Sequence, residues 1–151
     1  MKLAEALHLR ADLQKRIAQL KVRLLNNAKV QEGDEPAEEP LSLLRELECD
    51  IAQLEQLTGR INRTNCETVN AGMSLTQMIA RKDMLTLRLS VLREFLDAAS
   101  SKVDRYSNKE IRIRSTVDVV QLQKQVDDYS KQLRLLDVSI QGLNWTTDLI
   151  E

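Results

Sequence analysis

Apolar residues recur along most of the chain at alternating spacings of three and four, which predicts four long amphipathic helices. In a helix this spacing places the apolar side chains on one face, typical of helices that pack lengthwise in a bundle or coiled coil. The predicted helices cover about residues 2–29, 41–68, 74–101 and 118–143. Their stripes are Leu3, Ala6, Arg10, Leu13, Ile17, Leu20 and Leu24; Leu44, Leu47, Ile51, Leu54, Thr58 and Ile61; Leu75, Met78, Lys82, Leu85, Leu89, Leu92, Leu96 and Ala99; Val119, Leu122, Val126, Tyr129, Leu133, Leu136, Ile140 and Leu143.

Four helices of this length with short connections favour an antiparallel arrangement around one core. We therefore predict an all-α fold with residues 1–151 as a single helical domain. Its form is an antiparallel four-helix bundle, or long helical hairpins with coiled-coil-like packing. The composition agrees, because the 151 residues include only four glycines, two prolines and four aromatic side chains. All-β folds need more turn and strand-forming residues than that.

The segment at residues 30–40 interrupts the helical pattern. It contains both prolines of the chain and five acidic side chains. No core can form from such a composition, so we expect an exposed acidic loop. Pro40 suits the first turn of the second helix, where the missing N–H has no helical partner to lose.

The connector at residues 102–117 is the least ordinary segment. Its EIRIR run, residues 110–114, alternates charged and β-branched side chains, which is typical of a strand. We predict a short extended segment at residues 110–115, with Ile111 and Ile113 facing apolar surface. Because a lone strand is unstable, it must pair with a nearby stretch or with another subunit.

Charge, cysteine spacing and hydropathy together predict a cytoplasmic protein without a membrane span. The 22 basic and 23 acidic side chains nearly cancel, so overall charge gives no reason to bind nucleic acid or membrane. No apolar run approaches the ~20 residues that cross a bilayer, and charged residues interrupt the N-terminal region where a signal peptide would lie. Cys49 and Cys66 lie about 25 Å apart on one predicted helix, too far for a disulfide.

Residues suited to catalysis or metal binding are few and scattered. One histidine and two cysteines cannot build the usual four-ligand zinc site. The Glu-x-x-His pairs of carboxylate metal sites in bundles do not occur, and neither does a Gly-rich phosphate loop. We therefore expect no enzyme activity, no metal and no cofactor.

Two groups of residues remain as candidate sites. In the connector, guanidinium and ammonium groups lie beside an aromatic ring, which suits phosphate or an RNA backbone. The alternative is that these cations pair with acids of a neighbouring helix or subunit. At the other end of the predicted bundle, a small-molecule pocket could lie beneath a tryptophan lid. The connector group is Arg105, Tyr106, Lys109, Arg112 and Arg114, and the end group is Asn62, Arg63, Asn65 and Trp145.

Narrow leucine-rich stripes and an unpaired strand segment favour subunit contacts. The predicted function is that of a structural or interaction protein, a homo-oligomeric helical bundle. The alternative is an anion-binding or nucleic-acid-binding protein that uses the connector.

Four segments also carry a resemblance to a known family. They read KLAEALHLRADLQKRIAQLKVRLLNNAKVQEGDEP, INRTN, DRYSNKEIRIRSTVDV and NWTTDL. Together they resemble the small bacterial proteins of the septicolysin-like family. That resemblance implies a helical bacterial protein, and the family label implies a cytolysin-type toxin as a third possible function.

Overall fold

The computed structural model describes residues 1–101 and 112–151. Four helices make up nearly all of the regular structure, and the predicted bounds agree with them to within three residues. The all-α prediction is therefore confirmed. The helices are α1 (Leu3–Asn26), α2 (Pro40–Glu67), α3 (Leu75–Ser100) and α4 (Val119–Thr146), and a minimal hairpin of β1 (Val69–Asn70) and β2 (Met73–Ser74) joins α2 to α3.

The chain divides into two compact units, which we describe separately. Unit 1 comprises Met1–Leu75 and Gln141–Glu151, and unit 2 comprises Thr76–Ile140. No helix in the described ranges is both long and apolar enough to cross a membrane.

In unit 1, α1 and α2 form an antiparallel hairpin. Arg16 on α1 pairs with Asp50 on α2, and Arg23, further along α1, pairs with Glu46, earlier on α2. The predicted stripe of α1 is confirmed, because every member is at least partly buried. Side chains at seven-residue intervals form the buried seam, namely Ala6, Leu13 and Leu20 on α1 with Asn27 directly after it, and Leu43, Asp50, Leu57 and Thr64 on α2.

The predicted stripe of α2 is partly wrong. Leu44 and Ile51 are 43% and 42% exposed, whereas the preceding residues Leu43 and Asp50 are buried. Apolarity alone favours Ile51 over Asp50 as the inward residue. In the structure Arg16 offsets the charge of Asp50, and the inward face is rotated by one residue from the prediction.

A buried asparagine ties the end of α1 to the acidic loop. The Asn27 amide donates to the carbonyl oxygen of Arg23 at 2.8 Å, and its oxygen accepts from the Glu38 backbone N–H at 3.0 Å. Residues 30–35 are exposed, as predicted for this loop. Pro40 occupies the first position of α2, also as predicted, and Glu39 caps that helix by accepting from the Leu41 N–H.

The hairpin between α2 and α3 has a two-residue turn. Ala71 and Gly72 have φ values of +49° and +82°. Positive φ at both central residues is the geometry of a type I′ hairpin turn, whose twist matches that of the paired strands. The two short strands were not predicted from the sequence.

In unit 2, α3 and α4 form a second antiparallel hairpin. Lys82 of α3 pairs with Asp137 of α4, and Arg93, later on α3, donates to Ser130, earlier on α4. The predicted stripes of both helices are at least partly buried at every position. The centre of this unit is the apolar cluster of Leu89, Leu96, Leu122 and Val126.

The predicted strand lies partly outside the described residues, at positions 110 and 111. Residues 112–115 are described and belong to no helix or strand. Ile113 lines a groove with Phe95, Ala98 and Ala99 of α3 but stays 67% exposed, so it faces apolar surface without being buried. Alternation predicts a strand only where a neighbouring edge supplies backbone partners, and residues 112–115 pair with none within the described chain.

Candidate functional site

Only part of the predicted connector site can be located. Arg105, Tyr106 and Lys109 lie outside the described residues. Arg112 and Arg114 are exposed, and neither forms an ion pair with any residue of the described ranges. For these two arginines, the structure therefore gives no support to pairing with acids of the described ranges.

The predicted end site separates into two sets of contacts within unit 1. Arg63 donates to the Glu67 carboxylate at 2.8 Å and to the Glu151 carbonyl oxygen at 3.3 Å. Trp145 is 56% exposed, and its ring centroid lies 6.4 Å from that of His8. Asn62 is exposed and Asn65 is partly buried, and both lie on α2 within two residues of Arg63.

Arg60 and Thr64 of α2, together with Lys2 just before α1, hold the C-terminal residues in place within unit 1. Arg60 donates to the Ile150 carbonyl oxygen at 3.1 Å, and the Thr64 hydroxyl accepts from the Ile150 N–H at 3.0 Å. Lys2 and Asp148 form an isolated β-bridge and a 2.7 Å ion pair. The ion pair and hydrogen bond to Lys2 lower the pKa of the Asp148 carboxyl below its usual value. These contacts close the unit on itself.

A buried carboxylate in the unit 1 seam was missed by sequence reasoning. Asp50 is 2% exposed, and its Oδ1 accepts from Arg16 Nη2 at 2.9 Å. Its Oδ2 is buried and has no hydrogen-bond partner among the described residues. No cluster of three or more metal-ligating side chains occurs in the described ranges, so Asp50 is not part of a metal site formed by them. A polar residue inside a helical seam specifies which positions of the two helices face each other.

An exposed apolar face on α3 was also missed. Met84, Leu87, Val91 and Phe95 are 45–59% exposed and recur at spacings of three and four, so they share one side of the helix. We call these four residues the α3 apolar stripe. It is separate from the buried stripe of α3 that contains Leu89 and Leu96. The signal was present in the sequence, because α3 carries two apolar series where a single-faced helix carries one.

Opposite charges flank the α3 apolar stripe. With about 100° between successive residues, Asp83 and Glu94 fall on one edge and Arg81 and Arg88 on the other. The Arg88 guanidinium also lies 4.8 Å from the ring centroid of Tyr129 on α4. This cation–π contact holds the Arg88 side chain against α4.

The model of a family of unknown function, DUF6847, matches residues 10–149. The chain belongs to this family. A crystal structure of a functionally unknown conserved protein from Corynebacterium diphtheriae is similar over 99% of both chains, with 42% identity and a TM-score of 0.90. No curated protein matches the chain.

These findings correct the resemblance drawn from the sequence. The DUF6847 match spans nearly the whole chain, including all but the first eight residues of the segments that suggested a septicolysin-like protein. Neither the family nor the solved structure points to septicolysin. The resemblance was wrong because leucine-rich helical segments occur in many unrelated proteins and carry little family information. The toxin function that depended on it is withdrawn.

Proposed function

We propose that the protein is a structural or interaction protein that assembles with copies of itself, and that the α3 apolar stripe is its contact surface. The observation that supports this proposal is the exposure of four large apolar side chains on one face of α3. Scattered apolar residues are normal on a protein surface, whereas a contiguous apolar strip marks an interaction site. Leu41, Leu44 and Ile51 are also exposed on α2, but Glu48 lies among them on that face.

The charged edges favour a second copy in parallel orientation as the occupant. When two parallel helices pack, one edge of the first meets the opposite edge of the second, so the Asp83 edge faces the partner's Arg88 edge. The five-residue separation of Asp83 and Arg88 matches the usual spacing of such interhelical pairs. An antiparallel pair would bring like charges together. The charges therefore support a parallel two-fold pair of α3 helices.

The first test places a charge at the centre of the stripe. Light scattering on Val91→Glu is expected to give the 17.3 kDa mass of one chain, against a multiple of that mass for the wild type at micromolar concentration. The matched control is Val138→Glu on α4, because Val138 is similarly exposed, at 65%. A monomeric wild type, or an unchanged mass for Val91→Glu, would contradict the proposal.

The second test examines orientation by exchanging charges. Asp83→Arg and Arg88→Asp should each weaken association, because each places like charges across the contact. The double variant restores opposite charges in a parallel pair and should recover much of the association. Circular dichroism separates this effect from loss of folding, since Arg88 also contacts Tyr129. If the double variant is folded but does not recover association, the parallel arrangement of the two helices is contradicted.

A second candidate function is anion or RNA-phosphate binding through the connector. Its support is that Arg112 and Arg114 are exposed and form no ion pair among the described residues. Binding of a single-stranded RNA should weaken steeply with salt, since contacts to phosphates release counterions. Arg112→Glu with Arg114→Glu should abolish that binding without changing the assembly state. RNA affinity unchanged in this variant would remove the connector as the site.

The cytoplasm is the location that we propose for this protein. Cys49 and Cys66 both lie on α2, separated by seventeen residues, so they cannot form a disulfide with each other. A chain without an internal disulfide suits a reducing compartment.

A further inference from the structure

A groove with an excess of positive charge lies between α3 and α4 of unit 2. It has a volume of about 280 Å³. Three cationic side chains and two hydroxyl groups line it, with one carboxylate and one leucine. The lining residues are Lys82, Thr86 and Arg93 from α3 and Ser130, Leu133, Arg134 and Asp137 from α4.

Among the described residues, Asp137 is the one carboxylate that lines the groove, and it pairs with Lys82. Asp137 Oδ1 lies 2.5 Å from Lys82 Nζ, so this pair neutralises one cation. Arg93 and Arg134 form no ion pair with any residue in the described ranges. The remaining charge of the groove is therefore carried by two guanidinium groups.

Both arginines line the groove together with Ser130. Arg93 Nη2 donates to the Ser130 hydroxyl at 3.0 Å, and Arg134 follows Ser130 by one helical turn on the same face of α4. The Ser130 hydroxyl donates to the Val126 carbonyl oxygen at 2.7 Å, so its proton is already committed. The donors left for a ligand are the N–H groups of the two arginines.

We propose that this groove binds a phosphate group, either as the free ion or as a phosphate monoester of a small molecule. A phosphate dianion matches the charge of two arginines, and planar guanidinium groups donate to its oxygens in pairs. The site is independent of the proposed assembly surface. Arg93 lies nine residues from Met84, about two and a half helical turns, which places it on the opposite side of α3 from the stripe.

The test is a titration with inorganic phosphate and with methyl phosphate at constant ionic strength, followed by calorimetry and by NMR of the arginine side chains. Arg93→Gln with Arg134→Gln should lower the affinity by about tenfold or more for each arginine. The matched control, Lys124→Gln with Lys131→Gln, removes two exposed charges from α4 and should keep the wild-type affinity. Binding of either compound supports the proposal, and the ratio of their affinities tells whether the groove takes the free ion or an ester.

A further variant tests the role of Lys82. Asp137→Asn removes the carboxylate that pairs with Lys82 in the groove, so phosphate should bind more tightly than to the wild type. Equal losses in the arginine variant and the lysine control would indicate attraction to overall charge and overturn the proposal. The proposal would also be overturned if the arginine NMR resonances of the wild-type protein did not change on addition of either compound. Circular dichroism of the variants excludes loss of folding as the cause.

Discussion

The two units of the chain use charged residues in different ways. In unit 1, charged side chains close the structure on itself: Arg16 meets a buried Asp50, Arg23 holds the loop through Glu38, and Lys2 meets Asp148. In the described part of unit 2, Lys82 and Asp137 form the one ion pair between its helices. There the helices are held by an apolar cluster, and cations line the groove between them.

This difference indicates where the surface of the molecule is available for partners. Unit 1 has ten basic and fourteen acidic side chains, whereas the described part of unit 2 has nine basic and seven acidic ones. A positively charged unit with an apolar helix face and unpaired arginines can attract both an anion and another chain. The proposed contact surface and the proposed phosphate groove accordingly both lie on unit 2.

The largest expected effects come from the apolar cores, in which the two units should behave alike. Leu20 in unit 1 and Leu89 in unit 2 are each 1% exposed. Leu20→Ala and Leu89→Ala should each lower the free energy of unfolding by roughly 2–5 kcal/mol, through lost apolar contacts and the cavity left behind. Urea denaturation followed by circular dichroism measures this loss.

Leu133→Ala is the graded control for that comparison, because Leu133 is only partly buried. Its cost should fall below that of Leu89→Ala. A cost under about 1 kcal/mol for Leu89→Ala would show that the unit 2 core is loosely packed. The units would then differ in packing as well as in their use of charge.

The next effect concerns the buried pair of unit 1. Arg16→Met leaves the Asp50 carboxylate buried without its partner, which should destabilise the protein by about 1–3 kcal/mol. Asp50→Leu removes a buried carboxylate with one unsatisfied oxygen, while Arg16, whose side chain is 54% exposed, can turn to water. This second variant should be neutral or more stable, as replacements of buried ion pairs by apolar residues often are.

Chemical denaturation of both variants measures the two effects. The control is Lys15→Met, because Lys15 pairs with Asp12 at the surface and exposed pairs contribute little. If Asp50→Leu costs as much as Arg16→Met, the carboxylate itself stabilises unit 1. If both variants change the free energy of unfolding as little as the control does, the Arg16–Asp50 pair does not stabilise unit 1. The two units would then not differ in how much charged residues contribute to their stability.

Periodicity predicted the helices but could not fix the inward face of every one. On α1 the apolar series has one phase, so Leu13 and Leu20 were placed correctly. On α2 two phases compete, one through Leu44 and Ile51 and one through Leu43 and Asp50. Only the partner helix decides between them, because Arg16 makes the burial of Asp50 possible.

The candidate sites could be predicted only in part, for a related reason. Arg93 and Ser130 are 37 positions apart in sequence, and only the pairing of α3 with α4 brings them together. Nothing in either local sequence marks such a site. The α3 apolar stripe, in contrast, is visible in the spacing of Met84, Leu87 and Val91, and it was overlooked because one apolar face was assigned to each helix.

The smallest expected effect is a response of unit 1 to acid. Arg23 lowers the pKa of the Glu38 carboxyl below its usual value of 4.5, chiefly through their hydrogen bonds. Hydrogen bonding to Lys2 likewise lowers the pKa of Asp148 below 3.8. Because both groups hold their protons less tightly when folded, the stability they contribute is complete above these usual values. That contribution is lost as the pH falls through the lowered values.

Both carboxylates are at least partly exposed, so the loss should be shallow, and paired variants are needed to detect it. Urea midpoints measured from pH about 5 to about 3 should fall less steeply for Glu38→Gln and Asp148→Asn than for the wild type, since neither variant retains its titrating pair. Trp145, the only tryptophan, lies in unit 1 and offers a local fluorescence signal. Glu32→Gln, in the exposed part of the loop, is the control and should follow the wild-type slope. Equal slopes for all four proteins would show that these surface ties do not contribute to the acid response of unit 1, and the contrast between the units would then depend on the buried Arg16–Asp50 pair alone.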